Sequence, residues 1–144
     1  MLKKLKEEDI PELYRELQGL SEEDKDFFHP HSFDKKTLHG LLDDGENYYI
    51  FTDDDENIGF GFLRTFNKYK IPTLGCIIWE RHREKGHGYI LTKALIRKGK
   101  ELGYKKIKLK VYSNNYKAIL LYEGCGFKKG VRRDDEIWME LKHL

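Results

Sequence analysis

The sequence predicts a mixed α/β domain, and three observations carry that prediction. Residues 74–111 read as strand, helix, strand, the right-handed crossover unit that joins two parallel neighbours. Ahead of it, two strands meet across the acidic turn Asp53-Asp54-Asp55-Glu56-Asn57, an antiparallel hairpin. Behind it, two more strands close around Arg133-Asp134-Asp135. Parallel and antiparallel pairings in one chain call for a central mixed sheet with helices on both faces.

A short strand at 2–5 opens the chain and gives way to a helix capped by Asp9, with Pro11 in its first turn and Ile10, Leu13, Tyr14 and Leu17 as its apolar stripe. Ser21 followed by Asp24 resembles a shortened capping box and starts a turn of helix into Phe27-Phe28. Phe28-His29-Pro30-His31 breaks that turn, and Asp34 starts a further helix through Leu38, Leu41 and Leu42. Strands follow at 48–52 and 58–66, then a turn over 67–72. Residues 74–79 form a continuous apolar run, the mark of a strand buried on both faces. Residues 86–102 are the clearest helix, with Ile90, Leu91, Ala94, Leu95 and Leu102 assigned to one face and Gly103 just beyond. Ile107, Leu109 and Val111 alternate with Lys106, Lys108 and Lys110, which is strand period two. A short helix from Asn115 to about Glu123 and strands at 127–132 and 137–141 complete the order β-α-α-β-β-β-α-β-α-β-β.

The chain has 144 residues with no repeat, low-complexity tract or linker, so a single domain over 1–144 is expected. A hydrophobic share of 39% with 13% aromatics supports a core and argues against disorder. No apolar run approaches the roughly 18–20 residues that span a bilayer. The opening Met1-Leu2-Lys3-Lys4 enters charged sequence at once, without a signal-peptide core. Cys76 and Cys125 sit in apolar contexts and read as small buried hydrophobes in a reducing compartment, not as a disulfide or metal pair. A cytoplasmic location, no membrane partner and no metal are the expectations, and a homodimer is left open.

The net charge of +2 conceals a division. Residues 1–66 carry 8 basic and 17 acidic side chains, a balance of −9, whereas residues 67–144 carry 19 and 8, a balance of +11. A basic half suggests an anionic ligand. Nucleic acid is disfavoured, because the basic residues are not interleaved with aromatics as stacking platforms require. A small polyanion fits the same charge with far less surface.

Two segments carry chemistry. Arg83-Glu84-Lys85-Gly86-His87-Gly88 lies between the apolar strand and the best helix. Glycines there let backbone N–H groups turn toward a ligand, and the helix N-terminus adds about half a unit of positive charge. No Lys-Ser/Thr follows, so it is not a Walker loop, and the spacing is too short for the dinucleotide fingerprint. The second segment runs Asn115-Tyr116-Lys117-Ala118-Ile119-Leu120-Leu121-Tyr122-Glu123-Gly124-Cys125-Gly126-Phe127.

This N-x-x-A-x-x-L-Y-x-x-x-G-F pattern, following the strand that ends at Val111, is similar to the closing motif of the GNAT superfamily of acetyl-CoA-dependent N-acetyltransferases. R-x-x-G-x-G resembles the same family's CoA pyrophosphate loop, and the one helix and one strand between the motifs match its spacing. The resemblance covers about residues 57–142 and implies a GNAT-like fold whose parallel strands at 74–79 and 105–111 splay apart. It further implies acetyl-CoA as cosubstrate, an amine acceptor, and direct attack in a ternary complex. The amides of Glu84, Lys85, Gly86, His87, Gly88 and Tyr89 would then hold the pyrophosphate. Backbone groups of Cys76, Ile77 and Ile78 would hold pantetheine, one N–H serving as oxyanion donor. Asn115 would contact the pantetheine or steady the splay, and Tyr122 would protonate the departing thiolate.

The sequence departs from the family where Trp79-Glu80-Arg81-His82 replaces the usual proline or small residue before the loop, and where His87 replaces an aliphatic residue. Lys110 stands where relatives that acetylate protein N-termini carry a glutamate, so the general base is left among Glu80, Glu123 and a water chain. His29 and His31 could be metal ligands but lack a third; surface, packing or acceptor-recognition roles are the alternatives. The main reading takes the amine to be that of a small molecule; a CoA-binding regulatory module without turnover is the rival reading, and an acetyltransferase acting on a protein or peptide amine is the other alternative. For the acceptor, a small amine bound mainly by residues 1–66 is expected, and the acidic balance of that half favours a polyamine or other cationic amine; Lys106, Lys108 and Lys110 on one strand face oppose this and would suit an anionic one.

Overall fold

The computed structural model describes residues 1–65 and 70–144. Its strands are β1 (Leu2–Lys4), β2 (Asn47–Asp53), β3 (Glu56–Arg64), β4 (Thr73–Ile78), β5 (Lys106–Tyr112), β6 (Lys128–Arg133) and β7 (Glu136–Lys142). Its helices are α1 (Ile10–Gln18), α2 (Glu22–Phe27), α3 (Lys35–Gly40), α4 (His87–Glu101) and α5 (Tyr116–Gly124), with 3₁₀ turns at Glu7–Asp9 and Glu80–His82. Three helices, not the two of the predicted order, precede β2. Seven strands form one mixed sheet in the order β1-β2-β3-β4-β5-β7-β6, with β4 and β5 parallel and the remaining pairs antiparallel. Phe66, expected to end the third strand, and much of the turn expected over 67–72 lie outside the described residues.

Local chemistry accounts for most of these boundaries. Asp54 and Asp55 both take positive φ, 48° and 65°, the left-handed pair that a two-residue hairpin turn requires. Ser21 Oγ accepts from the Asp24 N–H at 3.0 Å, and Asp34 Oδ1 accepts from the Thr37 N–H at 2.8 Å, so both act as N-caps. Asp9 behaves differently from expectation. Its carboxylate reaches back to the Lys6 N–H at 2.9 Å and stabilises the 3₁₀ turn ahead of α1, making no cap bond to α1 itself.

The sheet separates two cores. On one face Leu91 and Leu95 of α4 and Ile119 of α5 pack on Leu63, Ile107, Leu109 and Met139. On the other, Leu13 and Leu17 of α1 and Leu38 of α3 cover Tyr48, Phe60 and Trp79. The stripe of α4 differs from the predicted one. Its buried residues are Leu91, Thr92, Leu95 and Gly99, whereas Ile90 and Leu102 are 52% and 46% exposed. At about 100° per residue, Ile90 falls outside that arc and Leu102 lies past the helix end. Cys125 is buried and Cys76 half-buried, and both are free thiols. No helix among the described residues is long and apolar enough to cross a membrane.

The two histidines of the Phe28–His31 break have separate fates. His29 is exposed, while His31 turns inward and meets the rings of Phe33, Tyr48 and Phe60 edge-on at 5.6, 6.3 and 5.9 Å. His31 Nδ1 pairs with the Ser32 carbonyl at 2.9 Å, and its Nε2 is buried without a partner among the described residues. Burial holds its pKa below the ordinary 6.5; the Arg64 charge acts the same way, and the Ser32 carbonyl, Asp44 and Asp34 oppose them. The unfolded chain therefore binds the proton first. The contribution of neutral His31 is complete above about 6.5 and is lost as pH falls from there through the lower folded value. His31→Phe, which keeps an aromatic ring in the cluster, is expected to flatten the acid limb of a melting-temperature profile below that pH; an unchanged limb would assign the acid sensitivity elsewhere.

Candidate active site

The feature that organises the site is a seam that opens in the middle of the sheet. β4 and β5 share one ladder pair, Thr73 with Lys108, where the Lys108 N–H donates to the Pro72 carbonyl at 3.0 Å. Beyond it the strands part. The register fixes what the seam exposes. The Trp79 N–H bonds to the Ile58 carbonyl on β3, so odd-numbered positions of β4 direct their backbone groups to β3 and even-numbered ones toward β5. Of the three predicted contacts, Cys76 and Ile78 therefore present N–H groups to the seam, and Ile77 is turned to β3. On β5 the same alternation aims Lys110 and Tyr112 into the gap. A sheet interior with unmet strand edges on both sides is a slot for an extended, amide-bearing ligand. Here also lies the reason the apolar run is not buried throughout: Gly75 and Cys76 remain half-exposed at the opening.

The end of β4 is tied down by side-chain contacts the sequence did not reveal. Trp79 is buried, and its indole N–H donates to Asn57 Oδ1 at 3.0 Å; the same oxygen accepts from the Gly59 N–H at 3.1 Å. Arg83 does not point its side chain at the loop. Its Nε donates to the Ile78 carbonyl at 2.8 Å and its Nη1 to Asp24 on α2 at 2.9 Å, binding the strand end to the opposite helix. The loop itself turns through left-handed backbone at Glu84 (φ 63°) and Gly86 (φ 82°), and Gly86 is the N-cap of α4. Among the described residues, none of the N–H groups of Glu84, Lys85, Gly86, His87, Gly88 or Tyr89 donates a hydrogen bond. Amides without an intrachain acceptor, at the N-terminus of a 15-residue helix, have the character that suits an anion. Gly88 lies against Leu121 of α5, where a Cβ would come within 2.9 Å of Leu121 Cδ1.

Tyr122 sits on the seam. Its hydroxyl is 3.7 Å from Cys76 Sγ, which also lies 3.7 Å from Thr92 Oγ1, and its ring meets Phe127 edge-on at 6.0 Å. Burial, reinforced by the neighbouring Cys76, pushes the Tyr122 phenol well above its ordinary value, so the proton stays on the oxygen. Burial likewise raises the Cys76 thiol, which keeps it a poor nucleophile. Asn115 has its side chain engaged as the N-cap of α5, accepting from the Ala118 N–H at 3.4 Å.

On the α1–α3 side the seam opens into a cleft of about 250 Å³. Phe27, Phe28, Phe62, Tyr112 and Trp138 make it largely aromatic, with Arg64, Lys110, Glu136 and His29 at its walls. Gly75 makes the room, since a Cβ there would stand 2.1 Å from Phe62 Cζ. His29 Nε2 is 2.9 Å from Tyr112 Oη, and Lys110 Nζ is 2.9 Å from Glu136 Oε2. The predicted base candidates Glu80 and Glu123 are exposed and outside this cleft. Phe62, Arg64, Tyr112, Glu136 and Trp138 were not anticipated, because they come from strands far apart in sequence. No cluster of three His, Cys, Asp or Glu suited to a metal occurs among the described residues.

The fold and its opened parallel seam are those of an acyltransferase. A model of the acetyltransferase (GNAT) family matches residues 8–127, and the chain belongs to that family. It is an enzyme that transfers acetyl groups to amines, and the family takes acetyl-CoA as cosubstrate. Solved structures agree on the fold. A chimera of the spermidine N-acetyltransferase SpeG from Vibrio cholerae and hSSAT superposes with a TM-score of 0.81 at 23% identity, covering 99% of this chain and 96% of that one. The ribosomal-protein-alanine N-acetyltransferase from Brucella melitensis gives 0.80 at 16% identity over 100% and 99%. The ribosomal-protein-S18-alanine N-acetyltransferase from Escherichia coli gives 0.77 at 21% identity over 99% and 93%. No curated protein matches significantly by sequence.

Proposed function

We propose that the chain acts as a single domain that moves the acetyl group of acetyl-CoA to a primary amine of a small molecule, by direct attack in a ternary complex. The observation that carries this reading is the one-pair seam between β4 and β5 with the Tyr122 hydroxyl beside Cys76 at its edge, 3.7 Å from the sulfur. The free amides of the 84–89 loop hold the pyrophosphate, and the edge of β4 at Cys76 and Ile78 takes the pantetheine arm. One of those N–H groups polarises the thioester carbonyl as charge develops on its oxygen.

The amine nitrogen attacks the carbonyl carbon and the C–S bond breaks. Tyr122 gives its phenolic proton to the departing sulfur and regains one from solvent. The proton shed by the amine passes to His29 through Tyr112, the cleft pair at 2.9 Å; Glu136 is held by Lys110 and does not serve. No acyl-enzyme forms on Cys76, whose thiol burial keeps protonated.

A panel of polyamines, amino sugars, amino acids and short peptides, assayed by thiol release from acetyl-CoA, tests the reading. Release that depends on one amine class supports it. Binding of acetyl-CoA with no release from any amine would replace it with a CoA-binding module that does not turn over.

A further inference from the structure

The acidic half of the sequence pointed to a cationic acceptor, and the cleft points the other way. Among the described residues, no carboxylate of residues 1–66 lines the cleft. Glu16 pairs with Arg81 at 2.9 Å, Asp24 with Arg83 at 2.9 Å, Asp34 caps α3, Asp44 accepts from Tyr48 at 2.6 Å, and Glu46 accepts from Thr65 at 2.9 Å. None of these lines the cleft. Glu23 and Asp26 line a neighbouring groove with Asn115 and Lys117, which shares Phe27 with the cleft. Within the cleft the only carboxylate among the described residues is Glu136, and Lys110 neutralises it at 2.9 Å.

Arg64, at the end of β3, donates through Nη1 to the Pro30 carbonyl at 2.8 Å, and its guanidinium lies over the Phe62 ring at 5.5 Å and the Tyr48 ring at 5.9 Å. These contacts fix a planar charge on the cleft wall, in the form best matched to a carboxylate. Lys108 and Lys110 lie over Trp138 at 5.2 and 5.8 Å, and Lys110 is the lysine that holds Glu136. Between the charges the walls are rings.

We infer that the acceptor is an amine that carries a carboxylate on an apolar, ring-sized body, with Arg64 binding the carboxylate. This rests on the acetyl-transfer reading above. The aromatic walls bury the body, and the guanidinium, already positioned by Pro30, meets the carboxylate without reorganising. The amine end is directed to the seam at Gly75, where the thioester edge begins. A polyamine finds in this cleft a single carboxylate already engaged by a lysine.

Three probes of one shape separate the possibilities: para-(aminomethyl)benzoate, its carboxamide, and para-xylylenediamine, which place a negative, neutral or positive group opposite the same amine. Binding is read from the fluorescence of Trp138 in the cleft, since the other tryptophan, Trp79, is 2% exposed; Trp138→Phe identifies the signal. The benzoate is expected to bind about tenfold or more tightly than the carboxamide, the diamine weakest, with kcat/KM in the same order. Arg64→Gln should bring the benzoate down to the carboxamide, and Arg64→Lys should recover part of the difference. Should Arg64→Gln not fold, the ranking of the three probes on the unaltered protein decides alone. A carboxamide or diamine that binds as well as the benzoate, or a benzoate that does not bind, overturns the inference. Loss of acetyl-CoA binding is scored separately, by thermal shift, and counts against acetyl transfer while leaving the ranking of probes intact.

Discussion

Tyr122→Phe is expected to leave acetyl-CoA binding unchanged and to lower kcat by roughly 10²–10⁴-fold, the range that general acid catalysis contributes. The substitution removes one oxygen. The ring keeps its edge contact with Phe127, so α5 retains its packing. What is lost is the hydroxyl proton 3.7 Å from Cys76 Sγ, which the proposed mechanism delivers to the departing sulfur. Burial favours the neutral phenol, so the donor remains charged with its proton throughout the neutral range. In the proposed mechanism the proton is donated only as the C–S bond breaks, which places the effect on kcat and not on binding. Single-turnover kinetics with bound acetyl-CoA would check it. An unchanged chemical step would reduce Tyr122 to a packing residue of α5.

The second large effect concerns the loop. Acetyl-CoA at 100 times its dissociation constant should stabilise the protein by about 2.7 kcal/mol, readable as a thermal shift. Gly86→Val is expected to abolish that shift. Gly86 sits at φ 82°, where a β-branched residue is strained, although the space around it is open and no side chain would be struck. The strain can be relieved only by re-aiming the backbone, which also re-aims the loop amides that the proposed pyrophosphate site uses. Leu91 and Leu95, which anchor α4 in the core, are untouched, so the protein without ligand should still fold. A full acetyl-CoA shift in Gly86→Val would mean that the pyrophosphate is held by side chains and not by the loop backbone.

The local elements were legible in the sequence wherever the signal lies within a few residues. Ser21 and Asp34 as caps, the acidic hairpin turns, the period-two alternation of 107–111 and the glycine loop ahead of α4 all depend on the chain's immediate neighbours. So does the Asn115–Phe127 motif, whose capping asparagine and tyrosine lie two helical turns apart. Those features were enough for the mixed sheet and for the family. The face of α4 was misread at Ile90 and Leu102, because apolar character alone does not set the phase of a stripe; contact with Ile107 and Leu63 does.

Other properties exist only once strands distant in sequence lie side by side. The seam is a failure of β4 and β5 to pair beyond Thr73 and Lys108, and an absence of pairing leaves no mark in composition. The turning of Ile77 toward β3 follows from one hydrogen bond, Trp79 to Ile58, that fixes the register of a whole strand. Arg83 belongs to the loop motif by sequence, yet its side chain joins Ile78 to Asp24, 59 positions away. The acceptor cleft is the fullest case. Sequence supplied the charges of Arg64, Lys110, Glu136 and the acidic half, but a charge acts through distance, and packing alone decided which carboxylates were already paired and which cations faced the opening.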